Sequence, residues 1–473
     1  MHNFRRFQQS ATLFLVRVVA TGLLAGCGGD TVATPGATAA STTAAASPAD
    51  TATSASAAAP TAAASGASLA AGVSNKYSGT TLNVVFANHA WATGIQPLLA
   101  QFQQASGIKV SISSYGETQL SDQLTTRFTA GGGTIDAFMF RPLQEGKLFA
   151  NNGWLQDMTT STGGADWNWS DFQAPSRGTV TFDGKVYGVP IVTEREILYY
   201  RKDLLQAKGI TVPKTLDDLM VAAQKLNDPT NGMYGFVARG MRAAAVTQFS
   251  SYLYGFGGDW AKNGASAIGS PEAVQAYKFY GKILHDYGAP GVLNMNWPQA
   301  IAIFGQGKAA MYTDADSLYP NLLDKTKSIV TDKVGYAVFP AGPAGAHPYN
   351  VTSWALGVSA ASKNQDAALE FVKWATSQPV VAQLQAGGLP GARASVWNSP
   401  QGTSGFPAEL AKVIQDSAAT GIDHDRPLVV HVAQARDIVG GPIVTAIQGQ
   451  DVDAAVKQAD PQFGDFLKTD LNK

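Results

Sequence analysis

The stretch TTLNVVFANHAWATGIQPLLAQFQQASGIKVSISSY, residues Thr80–Tyr115, decides the fold class of this chain. It opens with a β-rich apolar run, Thr80–Ala87, and continues with apolar residues at helical spacing over Ile95–Phe102. Residues Ile108–Tyr115 then alternate between apolar and polar side chains, as a strand does. A further helical stretch, Leu120–Phe128, leads into the apolar run TIDAFMF. Strands and helices that alternate in this way are joined by right-handed crossovers, and they predict an α/β fold with a parallel sheet.

Downstream segments keep the same α/β character. Thr215 and Asp218 have the spacing of a capping box at the start of an amphipathic helix. Ser270 before Pro271 is typical of another helix N-terminus. The segment NQDAALEFVKWATS has the spacing of a further amphipathic helix.

The composition of the chain argues against several classes of function. Its 473 residues exceed one compact core and fit two domains with additional segments. A formal net charge of −1, with scattered lysine and arginine, argues against nucleic-acid binding. A single cysteine excludes internal disulfides and a cysteine-built zinc site. HExxH and G-x-S-x-G motifs are absent and GQGK lacks the spacing of a phosphate-binding loop, so we expect no metal, no cofactor and no enzymatic activity.

The N-terminal segment, residues 1–26, has the features of an export sequence. Arg5 and Arg6 precede the mostly apolar run Ala11–Leu24, which is too short to span a membrane as a mature helix. The run ends in the sequence LAGC, which resembles the lipobox of bacterial lipoproteins. The resemblance implies cleavage before Cys27 and its acylation, and the acyl chains would hold the protein at a membrane. An ordinary signal peptide with an incidental cysteine is the alternative.

A linker rich in alanine, threonine, serine, glycine and proline follows Cys27. Such small side chains bury too little surface to offset the entropy of ordering the chain. We therefore expect residues 27–77 to consist of the lipidated cysteine and a disordered tether. Roughly fifty flexible residues span an r.m.s. distance of about 40 Å.

Side chains typical of binding sites follow the predicted strands. His89 and Trp91 come after the first strand. Tyr115 and Glu117 close the second strand, and Arg141 follows the third. Because ligands of such sheets bind outside the carboxyl ends of the strands, the sequence predicts a binding site at these loops.

The segment DGKVYGVPIVTEREILYYRKDLLQAKGITVPKTLDDLMVAAQKLNDPTNGMYGF, Asp183–Phe236, resembles the extracellular solute-binding proteins of family 1, which serve carbohydrate ABC importers. Further matching segments are YGFGGDWAKNGASAIGSPEAVQAYKFYGKILHDYGAPG, FGQGKAAMYTDAD, VGYAVFPAGPAG and SWALGVSAASKNQDAALEFVKWATS. Together they cover most of Thr80–Lys473 and are most similar to the branch that binds sugar alcohols and simple sugars. Val429, Val430 and His431 depart from the pattern, where a proline or tryptophan is expected.

The resemblance implies a two-lobe fold of the periplasmic-binding-protein type II class, with doubly wound sheets and three hinge crossings. The first lobe would hold residues 78–190 and about 357–402, and the second residues 191–356 and about 403–473. The crossings are expected near Val189–Glu194, Trp354–Ser359 and Gly402–Leu410. Ligand contacts to both lobes favour the hinge-closed form.

The implied function is capture of a neutral sugar or sugar alcohol between the lobes and its delivery to the permease subunits of an ABC importer. The protein is expected to act as a monomer, anchored through Cys27 to the outer face of the bacterial cytoplasmic membrane. That face is the periplasmic side if an outer membrane exists.

A site for such a ligand combines aromatic faces with planar charged groups that bond two hydroxyls at once. The residues expected to bind it are His89, Trp91, Tyr115, Glu117, Asp136, Arg141, Glu194, Arg239, Trp260, Trp297, Asp314, Trp354 and Arg393. Arg239, which resembles a ligand-contacting arginine of the family, and Trp354 are the leading candidates. Asp314 is expected to end a strand over residues 309–313 and to face the cleft, and Asp316 to be exposed.

Structural roles and other functions remain open at this point. Asp136 could instead cap a turn, and Arg195 could pair with a carboxylate. Three arginines, Arg141, Arg239 and Arg393, could hold a phosphorylated polyol or another anionic metabolite. A secreted glycosidase would need two carboxylates, for example Asp314 and Glu117, and a structural or adhesive lipoprotein would bind no small molecule.

Overall fold

The computed structural model describes residues 69–418 and 420–470. The expected signal peptide, the lipidation site Cys27 and the tether up to residue 68 lie outside these residues. The strands are β1 (Thr81–Ala87), β2 (Lys109–Tyr115), β3 (Ala137–Phe140), β4 (Thr181–Phe182), β5 (Lys185–Val186), β6 (Val189–Arg201), β7 (Ala261–Lys262), β8 (Ala265–Ser266), β9 (Met311–Ala315), β10 (Val334–Val338) and β11 (Asn350–Val358).

The α-helices alternate with these strands. They are α1 (Ala90–Ile95), α2 (Leu99–Ser106), α3 (Glu117–Thr129), α4 (Lys147–Asn151), α5 (Thr159–Thr162), α6 (Ala174–Thr179), α7 (Lys202–Ala207), α8 (Leu216–Leu226), α9 (Arg242–Gly255), α10 (Pro271–Tyr287), α11 (Trp297–Gly305), α12 (Pro320–Leu323), α13 (Gln365–Ala375), α14 (Gln378–Ala386), α15 (Ala394–Trp397), α16 (Pro400–Thr403), α17 (Ala408–Ser417), α18 (Val432–Ile447) and α19 (Val452–Asp470).

The first three strands form the parallel sheet that the sequence predicts. β1 lies between β2 and β3, so that Val84 is opposite both Ile112 and Ala137. β11 adds to β3 in the antiparallel sense, and β6 adds to β11 in the same way. Beyond β6 the sheet continues with β10 and β9, which both run antiparallel to it. The long strand β6 therefore pairs with β11 along its first half and with β9 and β10 along its second half.

Two hydrophobic cores flank this sheet. The first core contains β1, β2 and β3 with α13 and α14, and it includes Val189 and Val192 of β6. The second core contains α8–α11 and α17–α19, and it includes Ile197–Tyr200 of the same strand. After α14 the chain passes from Ala392 in the first core to Trp397 in the second. The two cores are thus connected through β6, through the chain between β10 and β11, and through the segment before α15.

The predicted helix starts are confirmed. The Thr215 hydroxyl accepts a hydrogen bond from the Asp218 backbone N–H at 3.1 Å, and the Asp218 carboxylate accepts one from the Thr215 N–H at 3.0 Å. The Ser270 hydroxyl accepts a hydrogen bond from the Ala273 backbone N–H at 3.2 Å, and Pro271 is the first residue of α10. These bonds satisfy N–H groups that have no partner within a helix.

Residues 69–77 depart from the expected disordered tether. The Leu69 carbonyl accepts a hydrogen bond from Trp374 Nε1 at 3.0 Å, and the Ser74 N–H donates to Glu370 at 2.7 Å. Both partners belong to α13, a contact that local composition does not reveal. Within residues 69–418 and 420–470, no helix combines the length and apolarity that a membrane crossing requires.

Candidate functional site

A cavity of ≈ 530 Å³ lies at the carboxyl ends of the parallel strands and extends between the two cores. Its lining includes seven of the thirteen residues proposed from the sequence: His89, Glu117, Arg141, Glu194, Arg239, Trp297 and Trp354. The loops after β1, β2 and β3 supply the first three of these residues. The structure therefore brings the predicted strand ends together, as expected for a sheet of this type.

Arg141, which follows β3, is fixed before any ligand arrives. Its Nε donates to Glu145 at 3.0 Å, and its Nη2 donates to Ser121 at 2.7 Å. The guanidinium lies 5.8 Å from the ring centre of Trp354, and Glu117 is 3.8 Å from its Nη1. A guanidinium held in this way presents its remaining N–H groups in a fixed direction, which suits a hydroxyl-rich ligand.

Arg239 lines the opposite part of the cavity and is held by Asp314. Its Nε donates to the Asp314 carboxylate at 2.8 Å, and Nη2 bonds the other oxygen of the same carboxylate. Tyr312 donates to Asp314 at 2.6 Å, and the backbone N–H of Ala315 does so at 2.8 Å. Although burial opposes the charge, the Asp314 carboxylate raises the pKa of Arg239, so the guanidinium stays charged.

Two further arginines, Arg426 and Arg436, complete the polar lining. Arg426 pairs with Asp425 at 2.5 Å, and this pairing lowers the pKa of Asp425 to about 2 even though burial acts in the other direction. Arg436 donates to the Ala243 carbonyl at 2.7 Å and to the Thr247 hydroxyl at 3.1 Å. Both arginines come from the part of the molecule that contains the second core.

Gln144 connects these arginines to the other side of the cavity. It lies in the π-helical turn Pro142–Gly146 that follows β3. Its side-chain oxygen accepts from Arg426 at 2.7 Å and from Arg436 at 3.4 Å. These bonds join the turn after β3 to the segment before α18 and to α18 itself.

Glu194 lies on β6, where the strand passes between the two cores. Its carboxylate accepts a hydrogen bond from the Ser317 hydroxyl at 2.7 Å. Burial, together with the charges of Asp316 and Asp314, raises the pKa of Glu194 to about 7, against opposing effects of Ser317 and Arg239. At neutral pH this carboxyl group is therefore protonated in part of the molecules.

The aromatic part of the lining consists of Trp354, Trp297 and the His89 ring. Trp354 is 4% exposed, and its ring centre is 5.6 Å from that of His89. The Nδ1 of His89 accepts from the Trp91 N–H at 3.0 Å, and burial lowers the pKa of His89 to about 4. His89 is consequently neutral at pH 7. Trp297 begins α11, whose N-terminus is capped by Asn296.

The charges of the lining residues and their ion-pair partners balance. The cations are Arg141, Arg239, Arg426 and Arg436. The carboxylates that accompany them are Glu117, Glu145, Asp314 and Asp425. Glu194 is a fifth carboxyl group, and its raised pKa reduces its charge at pH 7. Counted together with these buried partners, the lining has no excess of positive charge that would favour an anionic ligand.

Three predicted site residues near the parallel sheet do not line the cavity. Trp91 is buried, with its ring 5.5 Å from that of Phe86. The Tyr115 hydroxyl accepts a hydrogen bond from Arg127 at 2.7 Å. Asp136 lies before β3, at the opposite edge of the sheet. Its carboxylate accepts from the backbone N–H of Asn83 at 2.7 Å and from the Ser362 hydroxyl at 2.5 Å, so its partners belong to other segments and not to the preceding turn that it could have capped.

Three more predicted site residues are also structural. Trp260 is 1% exposed and donates through Nε1 to Tyr254 at 3.0 Å in the second core. Arg393 is buried and pairs with Asp171 at 3.0 Å. Asp314 lies inside β9, not after its end, and is fully buried behind the Arg239 guanidinium that it holds. The sequence shows that these side chains are polar or aromatic, but it does not show which way they face.

One ion pair decides two expectations: whether Arg195 of β6 pairs with a carboxylate, and whether Asp316 is exposed. Arg195 pairs with Asp316 at 2.8 Å, and both side chains are fully buried. Asp316 is therefore not exposed, contrary to expectation, because Arg195 compensates its charge in the interior. Glu194, one residue earlier on the strand, points to the other face and lines the cavity.

Sequence reasoning missed Gln144, Asp425, Arg426 and Arg436. Val429, Val430 and His431, which depart from the family pattern, belong to the same segment, and His431 pairs with Asp470. The adjacent acidic and basic residues of DHDRP, in a loop before a helix, are the signal that could have identified Asp425 and Arg426.

Comparisons with known proteins agree with this geometry. A family model described as bacterial extracellular solute-binding protein matches residues 87–382, which is more than half of the chain. The mannitol-binding protein of Pseudomonas aeruginosa is 32% identical over 292 residues, or 61% of this chain and 65% of that protein. The erythritol/L-threitol-binding protein of Mycolicibacterium smegmatis is 27% identical over 59% of this chain and 63% of that protein. The chain thus spans less than two thirds of the length of these two relatives.

A solved structure also shares the fold. The ABC transporter solute-binding protein of Agrobacterium radiobacter K84, in complex with ribitol, is 26% identical, with a TM-score of 0.72. The similarity covers 82% of this chain and 99% of that one. The prediction of an α/β solute-binding fold is confirmed.

Proposed function

Because this chain belongs to the bacterial extracellular solute-binding proteins, we propose that it captures a neutral sugar alcohol or simple sugar in the cavity between its two cores. Delivery of this solute to the permease of an ABC importer follows from the same proposal. The single observation that carries it is the charge-balanced, arginine-rich cavity at the carboxyl ends of the strands. Relatives whose names specify mannitol, erythritol and L-threitol support a polyol.

The chemistry of the lining suits neighbouring hydroxyl groups. Guanidinium groups donate in a planar fork, and carboxylates accept, so together they can bond both the oxygen and the hydrogen of successive hydroxyls. Arg141 and Arg239 are each held by a carboxylate, which limits the entropy lost when a ligand binds. Trp354 and Trp297 provide apolar surface for the C–H groups of the ligand.

An anionic ligand or an enzymatic reaction is less compatible with this lining. An anion would need a surplus of cationic groups, whereas each of the three arginines Arg141, Arg239 and Arg426 has a carboxylate partner. The carboxylate pair considered for a glycosidase fails for a different reason. Asp314 is buried and occupied by Arg239 and Tyr312, so it has no free oxygen to act on a substrate.

The two cores correspond, in this proposal, to two lobes that close on the ligand. Closure is held by Gln144 of one lobe and by Arg426 and Arg436 of the other. The third crossing would then lie between Ala392 and Trp397, before the expected Gly402–Leu410. We also propose that the protein is a monomer, anchored through Cys27 to the outer face of the cytoplasmic membrane.

A ligand panel tests the proposal. The purified protein is titrated with mannitol, ribitol, erythritol, simple sugars and glycerol phosphates by calorimetry. Micromolar binding of a neutral polyol or sugar, without cleavage of it, is the expected result. Binding of the phosphates alone would refute the neutral-ligand assignment, and cleavage of the sugar would refute a binding function.

Trp354→Ala provides the matching site variant. Removal of the indole deletes apolar contact to the ligand and the surface beside His89 and Arg141. We expect the affinity to fall at least tenfold, the loss typical of one aromatic contact. Trp260→Phe, at a buried position away from the cavity, is the control and should bind like the wild type. Equal affinities for Trp354→Ala and the wild type would remove this residue from the site.

A further inference from the structure

Glu194 is the carboxyl group of the cavity that has no counter-ion of its own. It forms no ion pair within 4.0 Å among the residues that the structure describes, and its carboxylate accepts a hydrogen bond from the neutral Ser317 hydroxyl at 2.7 Å. Two guanidinium groups of neighbouring residues are already used by other carboxylates. Arg239 is paired bidentately with Asp314, and Arg195 is paired with Asp316.

The charged groups around Glu194 do not compensate a negative charge on it. Four carboxyl groups lie on β6, β9 and the turn after β9: Glu194, Glu196, Asp314 and Asp316. Two guanidinium groups, Arg195 and Arg239, pair with Asp316 and Asp314. Glu196 is fully buried, and its two oxygens have no hydrogen-bond partner of good geometry among the described residues. Burial raises the pKa of Glu196, so its neutral form is favoured. Glu194 is then the carboxyl group of this region whose negative charge would have no compensating cation.

Groups from the other elements that line the cavity are paired or distant. Glu117, Arg141, His89, Asp425, Arg426 and Arg436 face the cavity from the loops after the parallel strands and from the segment before and within α18. Arg436 forms no ion pair with a carboxylate among the described residues, and its N–H groups bond Ala243, Thr247 and Gln144.

We propose that Glu194 is protonated in the closed cleft, so that closure on the ligand takes up a proton. The inference rests on the proposed function, because it concerns regulation of the same binding site. In an open form the carboxyl group is in contact with water and has the ordinary affinity of a glutamate for its proton. In the closed form it lies within the influence of the Asp314 and Asp316 charges without a counter-ion of its own, and the neutral form is favoured. The protonated group is also able to donate a hydrogen bond to a ligand hydroxyl.

The direction of the pH effect follows from linkage. A group whose pKa is about 4.5 when open and about 7 when closed stabilises the closed form fully below pH 4.5. This stabilisation is lost as the pH rises to about 7, and over that interval the affinity falls by up to two orders of magnitude. Burial of His89 acts in the opposite direction, since closure would release a proton from its ring. The effect of Glu194 must therefore be measured against a variant that differs only at that residue.

Calorimetric titration with the polyol identified by the ligand panel, at pH 5, 6, 7 and 8, provides the test. The wild type is compared with Glu194→Gln, which keeps the shape of the neutral form. We expect the wild type to lose at least tenfold in affinity relative to Glu194→Gln between pH 5 and pH 8. Glu272→Gln, which alters an exposed carboxyl group away from the cavity, should keep the wild-type slope.

Proton uptake gives a second readout that does not depend on this variant. In the His89→Gln background, binding enthalpies at pH 6 in buffers of different ionisation enthalpy should show net uptake of a proton. A pH-independent ratio of the two affinities, a relative gain of the wild type at high pH, or release of protons would each overturn the inference while the binding function stands. If no member of the panel binds, the proposed function fails, and this inference fails with it.

Discussion

Asp314→Asn is the most informative single perturbation of this protein. The change keeps the size of the side chain but removes the charge that holds Arg239. The Asp314 side chain is fully buried and that of Arg239 is 11% exposed, so water cannot replace the lost interaction. Loss of one partner from a buried ion pair costs about 3–5 kcal/mol, mainly because the remaining charge is left uncompensated.

The expected cost for Asp314→Asn is about 3 kcal/mol in the free energy of unfolding, at the lower end of that range. The asparagine oxygen can still accept one hydrogen bond from Arg239, while its NH₂ group opposes the second. Unfolding in guanidinium chloride, followed by tryptophan fluorescence, measures the change in the free energy of unfolding, provided that the denaturant slope stays the same. The control is Asp416→Asn, which breaks the exposed pair with Lys412 and should cost no more than about 1 kcal/mol.

A loss below about 1 kcal/mol for Asp314→Asn would refute the reasoning. It would mean that Arg239 is hydrated or finds another acceptor. In that case the guanidinium is not fixed by Asp314 before the ligand binds, and its role in a preorganised site would have to be abandoned.

Two other predictions concern closure and pH. Gln144→Ala removes the hydrogen-bond acceptor that Arg426 and Arg436 share, so we expect ligand binding to weaken about tenfold. Stopped-flow fluorescence should show faster dissociation of the ligand. An unchanged dissociation rate would contradict a role of Gln144 in closure. Burial acts to lower the pKa of His424, but hydrogen bonds and charges from its two neighbouring aspartates raise it to about 9. Thermal scans should show that the stabilisation of the folded state by His424 is complete below pH 6.5 and is lost as the pH rises through about 9. The melting temperature of His424→Gln should depend less on pH over this range. Identical pH dependences for the variant and the wild type would refute this assignment.

The parallel sheet and the helix starts follow from local sequence. Strand and helix periods in Thr80–Tyr115 specify β1, β2 and the helices between them, and the Thr215–Asp218 spacing specifies a cap. Such patterns are readable because they depend on residues close together in the chain. The strand ends then place His89 and Arg141 at one edge of the sheet without further information.

The cleft itself is decided by the tertiary structure. Arg239 and Arg393 look alike in sequence, yet Arg239 borders the cavity beside Asp314 while Arg393 is buried against Asp171. Ion pairing joins residues far apart in the chain, and the periodicity of one segment contains no information about such partners. The same holds for Gln144, whose arginine partners lie 282 and 292 residues further along the chain. The sequence thus determines which elements form and where a site must lie, whereas packing determines which polar side chains are structural and which remain for a ligand.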